Sequence, residues 1–139
     1  MSTPGQGPLS HRLGRVEVGL SALVAVAALV AARAYPLWRE QLVVACPLLE
    51  IVGLPCPTCG GTRAFAALAA GNSAEAFAWN PLAALVAATM LMWLPAAALI
   101  IAGRVPSPAV PARLPLAVRW GIPLLIAANW VYLLVWFRG

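Results

Sequence analysis

Between Glu75 and Arg104 the chain runs for twenty-eight positions without a charged side chain. A run of that length leaves few folds open, because only a lipid bilayer or a large protein core removes so much apolar surface from water. Asn80-Pro81 punctuates it. Pro81 suits the first turn of a helix, where its missing N–H leaves no bond unmade, and Asn80 suits the N-cap before it. A helix over 81–102 rises about 33 Å, enough to cross a hydrocarbon core of about 30 Å. A second uncharged run, 120–137, is closed by Arg119 and Arg138 and carries Trp120, Trp136 and Phe137 at its ends, where interfacial aromatics belong. It places a span at 117–137. Pro95 and Pro123 fall inside these two spans and predict kinks or local unwinding. The first apolar segment is shorter. Val18 to Ala32 gives about 22 Å of helix, so Arg33 must snorkel and the helix continue toward Tyr35, for a span over 16–35. A cleaved signal peptide is the competing reading. The arginine in Ala32-Arg33-Ala34 and the proline at 36 fit cleavage poorly, so a retained helix is preferred.

The charged fraction agrees. Charged residues make up 9% of the chain and apolar residues 63%, where a soluble domain carries about a quarter charged. The net charge is +5 and every basic residue is an arginine. These arginines flank apolar runs instead of forming a patch, so they read as anchors at lipid headgroups and not as a nucleic-acid surface. The expectation is an all-α integral membrane protein: a disordered N-terminal tail over 1–15, then one helical membrane domain over 16–139. Residues 104–115 hold Pro106, Pro108, Pro111 and Pro115, which predicts a semi-extended connector without helix or central strand. With three spans, Arg12, Arg15, Arg104, Arg113 and Arg119 share one side, and Arg33, Arg39, Arg63 and Arg138 the other. That excess places the N-terminus in the cytoplasm and the loop 36–80 outside. Small residues at four-residue spacing, Ser21/Ala25 and Ala83/Ala87 among them, permit close helix packing.

Loop 36–80 contains all three cysteines, Cys46, Cys56 and Cys59. Residues 63–70 read as a short apolar helix stopped by Gly71-Asn72, and Ser73 reads as the cap of a second, with Glu75 in its first turn. Both are too short to span and belong at the interface or in a re-entrant element. Glu50 is a candidate partner for Arg63, and Asn129 is expected to hydrogen-bond across helices.

Cys56-Pro57-Thr58-Cys59-Gly60-Gly61-Thr62-Arg63 supports three chemistries. As a metal knuckle, Cys56 and Cys59 converge around a turn closed by a glycine at positive φ, with Cys46 as third ligand. Three thiolates suit Cu(I), an open zinc site, or a site completed by another chain, whereas a closed structural zinc site needs four ligands. His11, beyond the first span, is a poor fourth ligand and reads as a solvated tail residue. As a redox pair, the Cys-x-x-Cys spacing before a helix, with Arg63 nearby, favours a thiolate. As a staple, Cys46 forms a disulfide with Cys56 or Cys59. No Ser/His/Asp set, carboxylate pair, phosphate loop or nucleic-acid motif is present.

The run from Cys46 through Cys56-Pro57-Thr58-Cys59-Gly60-Gly61-Thr62-Arg63-Ala64, then Leu68, Gly71-Asn72, Ala76 and Asn80-Pro81, resembles a bacterial membrane family known only as domain of unknown function 2752. The resemblance covers about residues 42–100 and implies a small helical membrane protein with this motif at its centre, but no activity. Cys46, Cys56 and Cys59 are the site residues, as metal ligands or as a disulfide or redox set, with no catalytic residue assigned. Pro57, Gly60, Gly61, Thr62, Arg63, Asn72, Asn80 and Pro81 support them. The function expected is a non-enzymatic scaffold or partner subunit built around Cys46, Cys56 and Cys59 as a metal-binding or disulfide site, with zinc and Cu(I) as the candidate cofactors if it is metal-binding. Its partners are the lipid bilayer and either a second copy or another membrane protein. The alternative is a membrane thiol–disulfide oxidoreductase using Cys56 and Cys59.

Overall fold

The computed structural model describes residues 10–38, 46–111 and 115–136. In chain order the elements are β1 (Ser10–Arg12), α1 (Arg15–Arg33), the single turn α2 (Tyr35–Trp38), α3 (Pro47–Val52), α4 (Gly61–Ala69), α5 (Ser73–Trp79), α6 (Pro81–Ile101), β2 (Ala109–Pro111) and α7 (Leu116–Trp136). Helices α1, α6 and α7 are each long and apolar enough to cross a membrane. Their ends fall within two residues of the bounds read from the sequence. The protein has an all-α membrane fold.

Alanines let the helices approach. Ala25 and Ala32 of α1, Ala64 and Ala67 of α4, Ala76 of α5, and Ala84 and Ala87 of α6 are all buried. Helix α1 packs on α6 and on α4, and α4 packs on both α5 and α6. Near the start of α1, Val18 meets Ala97 and Ile100, with Trp93 against them. Trp93 Nε1 also donates to Ser21 Oγ at 3.1 Å. Leu20, Leu23, Val24, Val86, Met92, Leu124 and Leu125 are exposed. In water such a surface would aggregate, whereas toward lipid chains it costs nothing. Both α6 and α7 continue through Pro95 and Pro123, so the local unwinding expected at those prolines does not occur.

The N-terminal segment and the connector differ from expectation. Ser10–Arg12, placed by the sequence in a disordered tail, pairs antiparallel with Ala109–Pro111, with His11 opposite Val110. Leu13 N–H adds a bond to the Pro108 carbonyl at 3.4 Å. Proline density does exclude a central strand, but a two-stranded edge needs few donors and tolerates Pro111. Residues 1–9 of the expected tail lie outside the described residues.

The cysteine region sits at the opposite end, against the last turns of α1. It is pinned by α7, which otherwise has few neighbours: 11% of its spanning window is buried, against 22% for α1 and α6. Leu82 N–H donates to Asn129 Oδ1 at 3.0 Å, so the start of α6 is level with Asn129. Seven residues separate Asn129 from Trp136, which puts this contact about 10 Å inside the end of α7. The short helices α4 and α5 thus lie beside the outer part of the spans.

Candidate metal and thiol site

Two short elements deliver the three sulfurs. Cys46 is the N-cap of α3, held in extended conformation before Pro47. Cys56 and Cys59 flank a tight turn. Cys59 N–H donates to the Cys56 carbonyl at 3.0 Å, and Gly61 N–H donates to the Thr58 carbonyl at 2.9 Å. Cys56 N–H donates back to Cys59 Sγ at 3.1 Å. Gly60 closes the turn at φ +74° and caps α4. Glycine is needed there twice over: the conformation is left-handed, and an added Cβ would stand 2.9 Å from the Trp79 carbonyl oxygen. Arg63 therefore lies in the first turn of α4, not at its start as the sequence suggested.

All three sulfurs lie within 4.8 Å of one another, and Cys56 and Cys59 are 3.2 Å apart. Cys59 is buried and the other two are half-buried. Burial raises the Cys56 thiol, but hydrogen bonds from Thr58, Cys59 and Cys46 lower it further and bring it to about 7. Burial pushes Cys59 up to about 12, and the neighbouring Cys56 and Cys46 thiols add to the rise. The local acid in this pair is Cys56, and its chief stabiliser is Thr58 Oγ1 at 3.2 Å. The field of Arg63 expected from the sequence is not among the causes. In the reduced, metal-free protein, Cys56 is therefore expected to alkylate with iodoacetamide at half-maximal rate near pH about 7. Thr58→Val should move that midpoint up, while Arg63→Gln should leave it in place. A midpoint unmoved by Thr58→Val but raised by Arg63→Gln would reverse the assignment.

Polar side chains from distant parts of the chain hold the turn. Asn80 is 1% exposed. Its Oδ1 accepts from Ala83 N–H at 3.0 Å, capping α6. Its Nδ2 donates to the Cys59 carbonyl at 3.0 Å and to the Pro57 carbonyl at 3.3 Å. From α7, Asn129 Nδ2 donates to the Pro57 carbonyl at 3.0 Å, and Trp130 Nε1 to the Pro55 carbonyl at 2.9 Å. Tyr132 adds a bond from its hydroxyl to the Ala78 carbonyl at 3.3 Å. The carbonyls of Pro55, Pro57 and Cys59 would otherwise lose water without gaining a partner.

Arg63 packs its guanidinium 4.5 Å from the centroid of Trp79 and does not pair with Glu50, the partner expected. Trp79 is in turn fixed by Glu75, which accepts from Trp79 Nε1 at 3.4 Å and from Asn72 Nδ2 at 2.8 Å. Asn72, rather than Ser73, caps α5: its Oδ1 accepts from Glu75 N–H at 3.2 Å. Asn72 thus acts on Glu75 and, through it, on Trp79 and Arg63. Pro81 serves as the first residue of α6. His11 is in β1, separated from the cysteines by the whole of α1, about 28 Å of helix.

The three cysteines line a cavity of about 930 Å³ between α1, α4 and α6, which also takes in Thr58, Thr62 and Arg63. Its far walls are apolar: Ala28 and Ala31 from α1, Phe65 from α4, Ala83 and Val86 from α6. A half-buried Cys-x-x-Cys turn set into one end of a three-span bundle, with a third cysteine closing on it, defines a membrane protein with a thiol cluster. Residues 46–94, from the first cysteine into the middle of α6, match the family described as "Protein of unknown function (DUF2752)", the family resembled by the cysteine motif. Neither curated proteins nor solved structures match the chain.

Proposed function

We propose that this protein binds a soft metal ion, Zn(II) or Cu(I), through Cys46, Cys56 and Cys59, as a non-enzymatic membrane scaffold or partner subunit. One observation carries the reading: three sulfurs within 4.8 Å of one another. Zinc–sulfur bonds of about 2.3 Å, in tetrahedral or trigonal arrangement, put ligand sulfurs about 3.8–4.0 Å apart. The distances here, from 3.2 Å for Cys56–Cys59 to at most 4.8 Å, bracket that separation, so binding needs shifts of less than an ångström. An all-sulfur donor set selects soft or borderline ions. Thr58, Asn80, Asn129 and Trp130 serve as the outer shell that fixes the ligands. Elemental analysis of detergent-purified, reduced protein tests this directly. One metal per chain is expected, falling to near zero in Cys56→Ser and Cys59→Ser. Metal-free protein that still takes up no zinc or copper when titrated would overturn it.

A second reading rests on a different observation, the unequal character of Cys56 and Cys59. The more exposed thiol is the acidic one and the buried thiol is not, the division of labour of an attacking and a resolving cysteine. A thiol–disulfide oxidoreductase would show a labile Cys56–Cys59 disulfide and no stoichiometric metal.

Sidedness is proposed from the arginine distribution: N-terminus and connector in the cytoplasm, cysteine site outside. A variant keeping only Cys56 is expected to react with a membrane-impermeant maleimide in intact cells. Labelling seen only after lysis would invert the orientation.

A further inference from the structure

We infer that the metal's fourth coordination position opens into the cavity between α1, α4 and α6 and is taken by a small thiol with an apolar body. The inference rests on the metal reading above and adds what the site receives. A tetrahedral ion held by three cysteines keeps one position free. Among the described residues no fourth protein donor joins the cluster. His11 is a helix length away, and Glu75 is engaged by Asn72 and Trp79. All three cysteines face the same cavity of about 930 Å³, space for a molecule well beyond water.

What the cavity holds narrows the ligand class. An open zinc site that activates water works with a base or a proton relay. Among the described residues no histidine, aspartate or glutamate lines this cavity, so none of these bases is placed there to take a proton from bound water. A soft donor set accepts a further soft donor readily, which favours sulfur over oxygen. The opposite walls, Ala28, Ala31, Phe65, Ala83 and Val86, offer apolar contact to the body behind that sulfur. Three thiolates on a divalent ion leave one net negative charge and a fourth adds another; Arg63, stacked on Trp79, is a cation on the same cavity. On binding, the thiol gives its proton to solvent and its sulfur displaces the solvent molecule at the ion, with no change of oxidation state.

The test uses X-ray absorption at the zinc edge on the full-length, zinc-loaded protein in detergent, with phenylmethanethiol as probe. Without probe, three sulfurs at about 2.3 Å and one lighter atom are expected. With probe, the shell should rise to four sulfurs while zinc stays with the protein on gel filtration. Glutathione, charged and bulky, should need at least a tenfold higher concentration for the same change. Val86→Phe and Ala83→Phe narrow the cavity without touching a ligand. In either, the three-sulfur shell should persist and the fourth sulfur should fail to appear. Glu40, the one His, Cys, Asp or Glu outside the described residues, is controlled by Glu40→Gln. A fourth sulfur that enters only in Glu40→Gln would overturn the inference, as would a three-sulfur shell unchanged by saturating probe. So would equal uptake in both cavity variants. A zinc shell lacking sulfur altogether would instead defeat the metal reading itself.

Discussion

Asn80→Leu is expected to abolish metal binding and lower stability by about 2–3 kcal/mol. The side chain is buried and bonds in three directions, to Ala83 N–H and to the carbonyls of Cys59 and Pro57. Losing the cap of α6 costs about 1 kcal/mol. The Cys59 carbonyl, left buried without a donor, adds about 1–2 kcal/mol. The Pro57 carbonyl retains Asn129 and adds little. Asn80→Asp separates the two roles. A carboxylate still accepts from Ala83 N–H, so α6 should keep its helical content by circular dichroism. It offers no donor and repels both carbonyls of the cysteine turn, so zinc stoichiometry should fall as far as in Asn80→Leu. Full zinc loading in Asn80→Asp would mean that the turn holds its shape without this bridge.

Gly60→Ala should have the second large effect. Its left-handed backbone costs a side-chain residue about 1–2 kcal/mol, and the new Cβ would meet the Trp79 carbonyl oxygen at 2.9 Å. That oxygen belongs to the backbone and cannot rotate aside, so the turn and α5 must separate. Cys59, adjacent to Gly60, moves with them. Zinc stoichiometry is expected to drop by more than half, with an apparent destabilisation of at least about 2 kcal/mol. Gly71→Ala is the matched comparison. It has φ +85° with nothing within 4 Å of an added Cβ, so it carries the conformational cost alone and should leave metal binding intact. Equal loss in the two variants would show that backbone conformation, not the contact with Trp79, governs the site.

The spans were legible because charge stops and proline-initiated helices are local facts: Glu75, Asn80-Pro81, Arg104, Arg119 and Arg138 bound them in any fold. The convergence of Cys46 on Cys56 and Cys59 was legible as a candidate, since all three fall within one loop. The site's supports were harder to read. Asn129 stood out as a polar residue in an apolar run, but nothing local says that it reaches Pro57, seventy-two positions away. Trp130 and Tyr132 carried a faint signal, being aromatics away from the ends of their span, where an interfacial belt would not place them. Arg63 was misjudged because charge suggested Glu50 as its partner, whereas an arginine also gains from lying over the face of a tryptophan, here Trp79. The strand pair escaped because three-residue edges carry no periodicity to detect.

The dependence of the cysteine turn on α7 also orders its biogenesis. The chain emerges from its N-terminus, so Cys46, Cys56 and Cys59 are synthesised and delivered to the membrane well before Asn129, Trp130 and Tyr132. During that interval the carbonyls of Pro55 and Ala78 lack their donors and the thiols sit in an unfinished setting. Only the insertion of α7 completes the shell. A chain truncated before residue 129 would present its thiols without the donors that α7 supplies to the Pro55 and Pro57 carbonyls.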